Sequence, residues 1–394
     1  MTAFSMNRLY ITDYGGQSMK ISLITLHRIV NYGSVLQAFA TQNVLEQLGF
    51  EVEIIDYFTE RMTQKGMSQR IRYKSPKLEK SLLLTAAARI IMYPSYKKRF
   101  AVFSEFVKRY LKLTPHTYTC EEDFKRYPIE ADFYCTGSDQ TWNSIWNERF
   151  DSPMYLSFAP DDKPKFSYAA SFGRKKLEEW EVEPTRKYLS RYSHLAMRED
   201  SGVEILSGLG LTGLHVPDPT LLLTRADWQP LISSRYSGQK YILVYNINRE
   251  KGLDDYAQRL SKEKGLPVYF MSYQYHDFYK KGKLICCPRV SEFLGLIANA
   301  QYVITDSFHC TAFSTNFHKQ LMVYYPHKFS TRLESLVNLT GQQKRVVHAD
   351  SPLSLADEPI DFDYVSCRLE AERKKALEYL KDALGVKEEP HESH

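Results

Sequence analysis

The stretch from Lys20 to Tyr57 reads KISLITLH (20–27), RIV (28–30), NYGS (31–34), VLQAFATQNVLEQLG (35–49) and FEVEIIDY (50–57). A β-rich run comes first, then a loop at Asn31–Ser34. A helical pattern follows (Val35, Leu36, Ala38, Phe39, Val44, Leu45, Leu48), is stopped by Gly49, and gives way to a second β-rich run from Glu51. Strand, helix and strand in so short a span form a βαβ unit, whose right-handed crossover implies a parallel sheet. Further strands are expected at Asp132–Thr136, Lys165–Ala170 and His194–Met197, filling a first domain over residues 20–222 with a basic helical segment at 61–112.

After the loop-rich stretch Val216–Leu223 the alternation starts again. Strands are expected at Tyr241–Asn246, Pro267–Ser272, Tyr302–Thr305 and Leu321–Tyr325, and helices at Asp254–Lys264, Val290–Asn299 and Phe308–Phe317. They define a second domain over 223–385, with a terminal helix at Arg368–Leu384 and a disordered final eight residues. The expected fold class is α/β: two Rossmann-like doubly wound domains facing a cleft, with a C-terminal helix. Open α/β sheets bind ligands at the carboxyl ends of their strands, so the site belongs between the domains.

Composition agrees with this division. The 394 residues exceed what one core usually serves, and 43% apolar with 25% charged residues is ordinary globular chemistry. The longest apolar candidate for a membrane span, Leu82–Tyr93, is broken by Thr85 and Arg89. The first 18 residues hold Asp13, Gly15 and Gly16 and lack the apolar core of a secretory signal, and six cysteines show no Cys-x-x-Cys spacing. A cytoplasmic protein with reduced thiols is expected. The net charge of +5 is too small to imply a nucleic-acid partner, but its distribution is uneven. Fourteen Lys or Arg lie between Arg61 and Lys112 against Glu79 and Glu105, interleaved with apolar clusters at Leu82–Leu84, Ile90–Met92 and Phe100–Val107. Two readings stay open. One is a solvated helical face packed on the core; the other is a surface that meets an anionic bilayer or a diphosphate-linked acceptor, peripheral at the inner face of the cell membrane.

Several motifs carry chemistry. Asp306-Ser307-Phe308-His309 stands where a buried strand yields to a helix, so free amides and the Ser307 hydroxyl face an anion while His309 sits as a proton donor. The plain alternative is an N-cap beside a structural histidine. Gly137–Asn143, after another strand, offers Asp139, Gln140, Trp142 and Asn143, a mixture that suits sugar hydroxyls and a pyranose face, or else a capped turn with a buried tryptophan. Asn31 and Ser34 have the same two readings. Arg198, at a further strand end, can hold a carboxylate or phosphate in two parallel hydrogen bonds. Gly208-x-Gly210-x-x-Gly213 follows a helix and runs toward Pro217, the wrong order for a dinucleotide cradle, so a helix-ending loop is expected. His309, His318 and His327 are nine residues apart, which does not suit a metal, and no metal or cofactor is expected.

As a set, Asn31–Ala38, Gly137–Asn143, Ser167–Gly173, Arg198-Glu199, Val216–Thr220 and Thr305–Thr311 resemble, in their order, the polysaccharide pyruvyl transferases, over about Lys20 to Val347. The resemblance implies a fold similar to GT-B glycosyltransferases, phosphoenolpyruvate as co-substrate, and a sugar or lipid-linked oligosaccharide acceptor from a cell-surface polysaccharide precursor. The implied product is a cyclic pyruvate ketal, with phosphate released. By that likeness His309 is the catalytic histidine and Arg198 the arginine that grips the donor. Other branches carry Arg-Leu-His where this chain has Ser307-Phe308-His309, so a second donor arginine is missing there, and Arg332 is the candidate to replace it. Asp139 is the candidate to orient or deprotonate the attacking hydroxyl. Two alternatives remain: a GT-B-type nucleotide-sugar glycosyltransferase, and a non-catalytic carbohydrate-binding scaffold.

Overall fold

A computed structural model describes residues 18–327 and 331–386. The readings placed on the first 17 residues and on the final eight fall outside the described residues.

Twelve strands are formed among them: β1 (Lys20–Ile24), β2 (Glu51–Tyr57), β3 (Leu113–Tyr118), β4 (Phe133–Thr136), β5 (Lys165–Ser167), β6 (Ala196–Met197), β7 (Leu214–His215), β8 (Ile242–Tyr245), β9 (Val268–Ser272), β10 (Lys283–Cys286), β11 (Tyr302–Thr305) and β12 (Gln320–Val323). They build two five-stranded sheets of the same order, β3-β2-β1-β4-β5 and β10-β9-β8-β11-β12, beside a two-stranded β6-β7 sheet. Every pairing is parallel. Strands such as FYCT, ILVY and YVIT are apolar without alternation because helices cover both faces of a parallel sheet.

The edge strands β3 and β10 were not foreseen. Their sequences, LTPHTY and KLIC, are short and partly polar, as suits strands with one open side, and Pro115 is tolerated there. β5 stops at Ser167 instead of Ala170 because Ala169 takes a left-handed φ of 52°. The terminal helix spans Phe362–Ala383, starting earlier than the sequence suggested because Asp361 caps it by accepting from the Tyr364 amide at 2.9 Å. The glycine motif does end a helix, Asp200–Gly208, and Gly210 takes φ 76° in the following turn.

In each sheet the order reverses at the central pair, β1/β4 in the first and β8/β11 in the second. Two helices that leave these points, Tyr32–Gln47 after β1 and Phe308–Asn316 after β11, are buried on nearly every side. A helix with no polar face must lie inside the protein. Helix Tyr32–Gln47 accordingly packs against Pro219–Leu222, Leu82–Tyr110 and Phe308–Asn316, so one apolar cluster runs from Leu23 in β1 to Val303 in β11.

Tyr32 is the clearest joint between the halves. Its ring stacks on Phe293 at 4.3 Å and on Tyr273 at 5.5 Å, and its hydroxyl donates to the Pro288 carbonyl at 2.6 Å. Helix Leu82–Tyr110 adds a second joint: Arg99 lies over the Tyr273 ring at 3.9 Å and donates to the Val30 carbonyl, while Lys98 donates to the Cys286 carbonyl. The terminal helix crosses back to the first sheet, where the Tyr379 hydroxyl donates to the Ser167 carbonyl at 2.7 Å. Tyr32→Ala should lower the unfolding free energy by about 3 kcal/mol or more, and Tyr32→Phe by about 1 kcal/mol for the lost hydroxyl bond, both read by urea denaturation.

Candidate active site

The two reversal points face each other across a cavity of about 530 Å³. The first sheet sends Asn31 and Ser34 from the helix after β1, and Asp139, Gln140 and Asn143 from the loop after β4; the second sends Asn248 from the loop after β8, and Asp306, Ser307 and His309 from the turn after β11. Arg70, Arg174 and Arg332 add cationic groups to the wall.

Each helix entering the cavity is capped by its own polar residue. Asn31 Oδ1 accepts from the Gly33 amide at 2.9 Å, and Ser307 Oγ accepts from the Cys310 amide at 3.3 Å. Both helix N-termini therefore point their positive dipole ends at the cavity. Gly33 is required by close approach: a Cβ there would lie 1.9 Å from His309 Nδ1. The backbone of the first domain thus forms one wall of the imidazole slot.

His309 is 11% exposed, with Nε2 turned inward to 3.7 Å from Asp218 Oδ2, an ion-pair distance beyond hydrogen-bond length. Asp218 is fixed on every side. Its Oδ2 accepts from Ser138 Oγ at 2.9 Å and Arg198 at 3.0 Å, and its Oδ1 accepts from the amide and hydroxyl of Thr220. Burial alone would push this carboxyl up, but His309, Arg198 and the Thr220 amide outweigh it and hold the group far below the usual carboxylate range. The Asp218 carboxylate is thus held fixed behind the ring.

Asp139 occupies an unusual backbone position, with φ at 78°. The left-handed region costs a non-glycine residue about 1–2 kcal/mol, and the surroundings enforce it. Ser34 Oγ donates to Asp139 Oδ2 at 2.6 Å, the Gln140 amide donates to Oδ1 at 2.9 Å, and Arg198 stands 3.5 Å from Oδ1. Burial raises the Asp139 carboxyl, yet Arg198, His309, Ser34 and Arg332 together lower it below its ordinary value. Strain stored at a charged residue on a cavity wall is characteristic of functional positions.

Four residues expected at the ligand spend their side chains elsewhere in the structure. Arg198 does not line the cavity: its side chain is 0% exposed, bound between Asp218 and Asp139, with its guanidinium 4.9 Å from the Phe308 ring centroid. It positions the two carboxylates rather than meeting a ligand. Trp142 is 0% exposed, stacks on Tyr155 and donates to the Met154 carbonyl, so it belongs to the core and offers no sugar-stacking face. Asp306 is on the wall, but its carboxylate is taken up by the Ile247 and Asn248 amides and the Asn248 side chain, which tie the loop after β8 to the end of β11. Asn143 likewise spends Oδ1 on capping the short helix Ser144–Asn147.

Arg332 lies on the cavity side. With the Gln140 amide oxygen turned toward it, Arg332 donates from Nη2 to that oxygen at 3.0 Å. Burial and the neighbouring Arg198 cation both lower its pKa, so this wall favours a bound anion. Sequence reasoning missed Asp218, although Asp-Pro-x followed by an apolar run is a cap signature; nothing local shows that the cap faces a histidine ninety-one residues later. Among the described residues no group of three or more His, Cys, Asp or Glu is placed to hold a metal ion. His318 stacks on Phe362 and His327 pairs with Glu250, both apart from His309.

Two Rossmann-like domains enclosing such a cavity make a GT-B-like architecture. A family model described as polysaccharide pyruvyl transferase matches residues 31–327, and the chain belongs to that family. No curated protein matches it in sequence. Among solved structures it is similar to a UDP-N-acetylglucosamine 2-epimerase, with TM-score 0.52 and 11% identity over 96% of this chain and 99% of that chain. It is also similar to S. aureus MnaA in a co-structure with UDP, at TM-score 0.49 and 11% identity over 95% and 100%. The first likeness shows the fold.

Asp218→Asn should remove about 3 kcal/mol or more of stability at neutral pH, because it leaves Arg198 buried with one weaker partner. Since the Asp218 pKa is lower folded than unfolded, its contribution is complete above the unfolded value of about 4 and drains away as pH falls below it. The variant's stability should therefore fall less steeply than the parent's on the acid side, measured by thermal unfolding across pH.

Proposed function

We propose that the protein transfers the pyruvyl group of phosphoenolpyruvate to two hydroxyls of a sugar residue in a cell-surface polysaccharide precursor, forming a cyclic ketal and releasing phosphate. The observation that carries this reading is the ring of His309, backed by the buried Asp218 carboxylate, in a cavity bordered by Arg332 and by two helix N-termini. Such a wall suits a small donor with both a carboxylate and a phosphate.

His309 as imidazolium delivers a proton to the methylene carbon of the donor, and positive charge develops at the carbon bearing the phosphate. Asp218 steadies the imidazolium before transfer. A sugar hydroxyl attacks that carbon and gives up its proton toward Asp139, whose strained backbone and Ser34 bond hold the carboxylate at the wall. Carbon–oxygen cleavage then expels phosphate toward Arg332 and the helix amides near Ser307, and a second hydroxyl of the same sugar closes the ketal with loss of its proton. Arg198 acts behind this scene by fixing Asp139 and Asp218 relative to each other.

With phosphoenolpyruvate and a panel of simple and lipid-linked glycosides, phosphate release should depend on both substrates and the glycoside should gain the ketal mass. Release of a nucleoside diphosphate from nucleotide-sugars instead would identify a glycosyltransferase and sink the proposal. His309→Ala should lower turnover by about 100-fold or more while phosphoenolpyruvate still binds. Gly33→Ala, whose added methyl overlaps the imidazole, should also lose most turnover, with about 1–3 kcal/mol of stability lost as the ring is displaced. Asp139→Asn, which tolerates the left-handed backbone, should turn over about 100-fold more slowly and lose about 1–3 kcal/mol of stability as its pairing with the buried Arg198 weakens.

A further inference from the structure

Helix Leu82–Tyr110 is divided by its surroundings. Beyond Pro94 it is the joint between the domains already described, with Phe103, Phe106 and Val107 buried. Its first three turns instead present Leu82, Leu83, Ala86, Ala87, Ile90, Ile91 and Tyr93 to solvent, with Leu83 84% and Ile90 74% exposed. Residues 83, 87, 90, 91 and 94 share one helical face, so these side chains form a continuous stripe. The opposite face is anchored: Met92 and Tyr96 pack on Ile71, supported by Met67 and Leu78, and Thr85 donates to the Leu78 carbonyl. The stripe is therefore held outward by a packed underside.

Single exposed apolar residues are ordinary, but a contiguous stripe marks a contact surface. Exposed Lys77, Lys80, Arg89 and Lys97 surround it, and from Lys80 to Ser104 the chain holds no acid. That charge decides the occupant. Pairing two copies through the stripe would set Arg89 and Lys97 of each near their equivalents, with Glu79, between Lys77 and Lys80, the single acid from Lys77 to Ser104. The stripe spans about 20 Å of helix, short of a bilayer's hydrocarbon core of about 30 Å, and among the described residues no helix is long and apolar enough to cross a membrane. We propose that the Leu82–Pro94 face seats the protein in the plane of an anionic membrane surface, with apolar side chains among the acyl chains and the cationic rim against the headgroups. Lys98 and Arg99 are excluded from this contact, because they are committed to Cys286, Val30 and Tyr273. Arg70, beside Ile71 in the anchoring unit, borders the active cavity.

The full chain should float with vesicles of phosphatidylcholine and phosphatidylglycerol, and far less with phosphatidylcholine alone. Leu83→Glu with Ile90→Glu should reduce partitioning about tenfold or more. Neutralising Lys80, Arg89 and Lys97 to Gln should weaken it roughly fivefold per cation, and added salt should do likewise. All these positions are exposed, so circular dichroism of each variant should match the parent. His309→Ala should bind vesicles like the parent, which keeps this result separate from the catalytic reading. Absence of binding, or binding unaffected by the Glu substitutions, overturns the proposal; a dimer in sedimentation that those substitutions dissolve would assign the stripe to a second copy instead.

Discussion

The buried guanidinium of Arg198 is the constraint on which the candidate site depends. A cation removed from water costs several kcal/mol unless its partners are close and themselves fixed. Here the partners are Asp218 at 3.0 Å and Asp139 at 3.5 Å, with the Phe308 ring beside the guanidinium. Asp139 follows β4 of the first sheet, Asp218 lies in the crossing between domains, and Phe308 opens the helix after β11 of the second. One side chain thus determines where three elements meet. The desolvation cost is offset only when all three are in place, so this arrangement ties the charge state of both carboxylates to the docking of the domains.

Everything that faces the cavity follows from repeating one topology twice. A parallel doubly wound sheet opens a crevice at the strand ends where its order reverses. Turning two such crevices toward each other brings two helix N-termini to a shared space, with no side chain needed to make that space electropositive. Arg332 adds to a field the backbone already supplies, while Arg174 and Arg70 are paired with Glu181 and Glu148. The histidine slot is a joint product: the second domain provides the ring, and the first provides a glycine whose missing side chain makes room for it.

The same economy appears in helix Leu82–Tyr110. Its second half joins the domains through Arg99, Lys98 and Phe103, while its first half, backed by Ile71, Met92 and Tyr96, leaves an apolar face without a partner among the described residues. A single composition, basic and apolar, serves two physical ends because one stretch has neighbours to pack on and the other does not.

The sequence by itself determined the architecture. Apolar runs of strand length alternating with helical periodicity leave few topologies, and turn chemistry at Asn31, Gly137 and Ser307 marked the strand ends at which His309, Asp139 and Ser34 were found. Periodicity could do this because it is a local property of the chain. It could not foresee β3 and β10, whose polar edges lack the buried-strand signal, nor whether Trp142 met a sugar or the core, nor that Arg198 was enclosed. Those outcomes turn on which neighbours arrive from distant segments. Only the tertiary structure paired Asp218 with His309, set Gly33 against the imidazole and left Arg332 rather than Arg198 at the cavity wall, because burial and charge compensation are decided by packing between elements and not by any one of them.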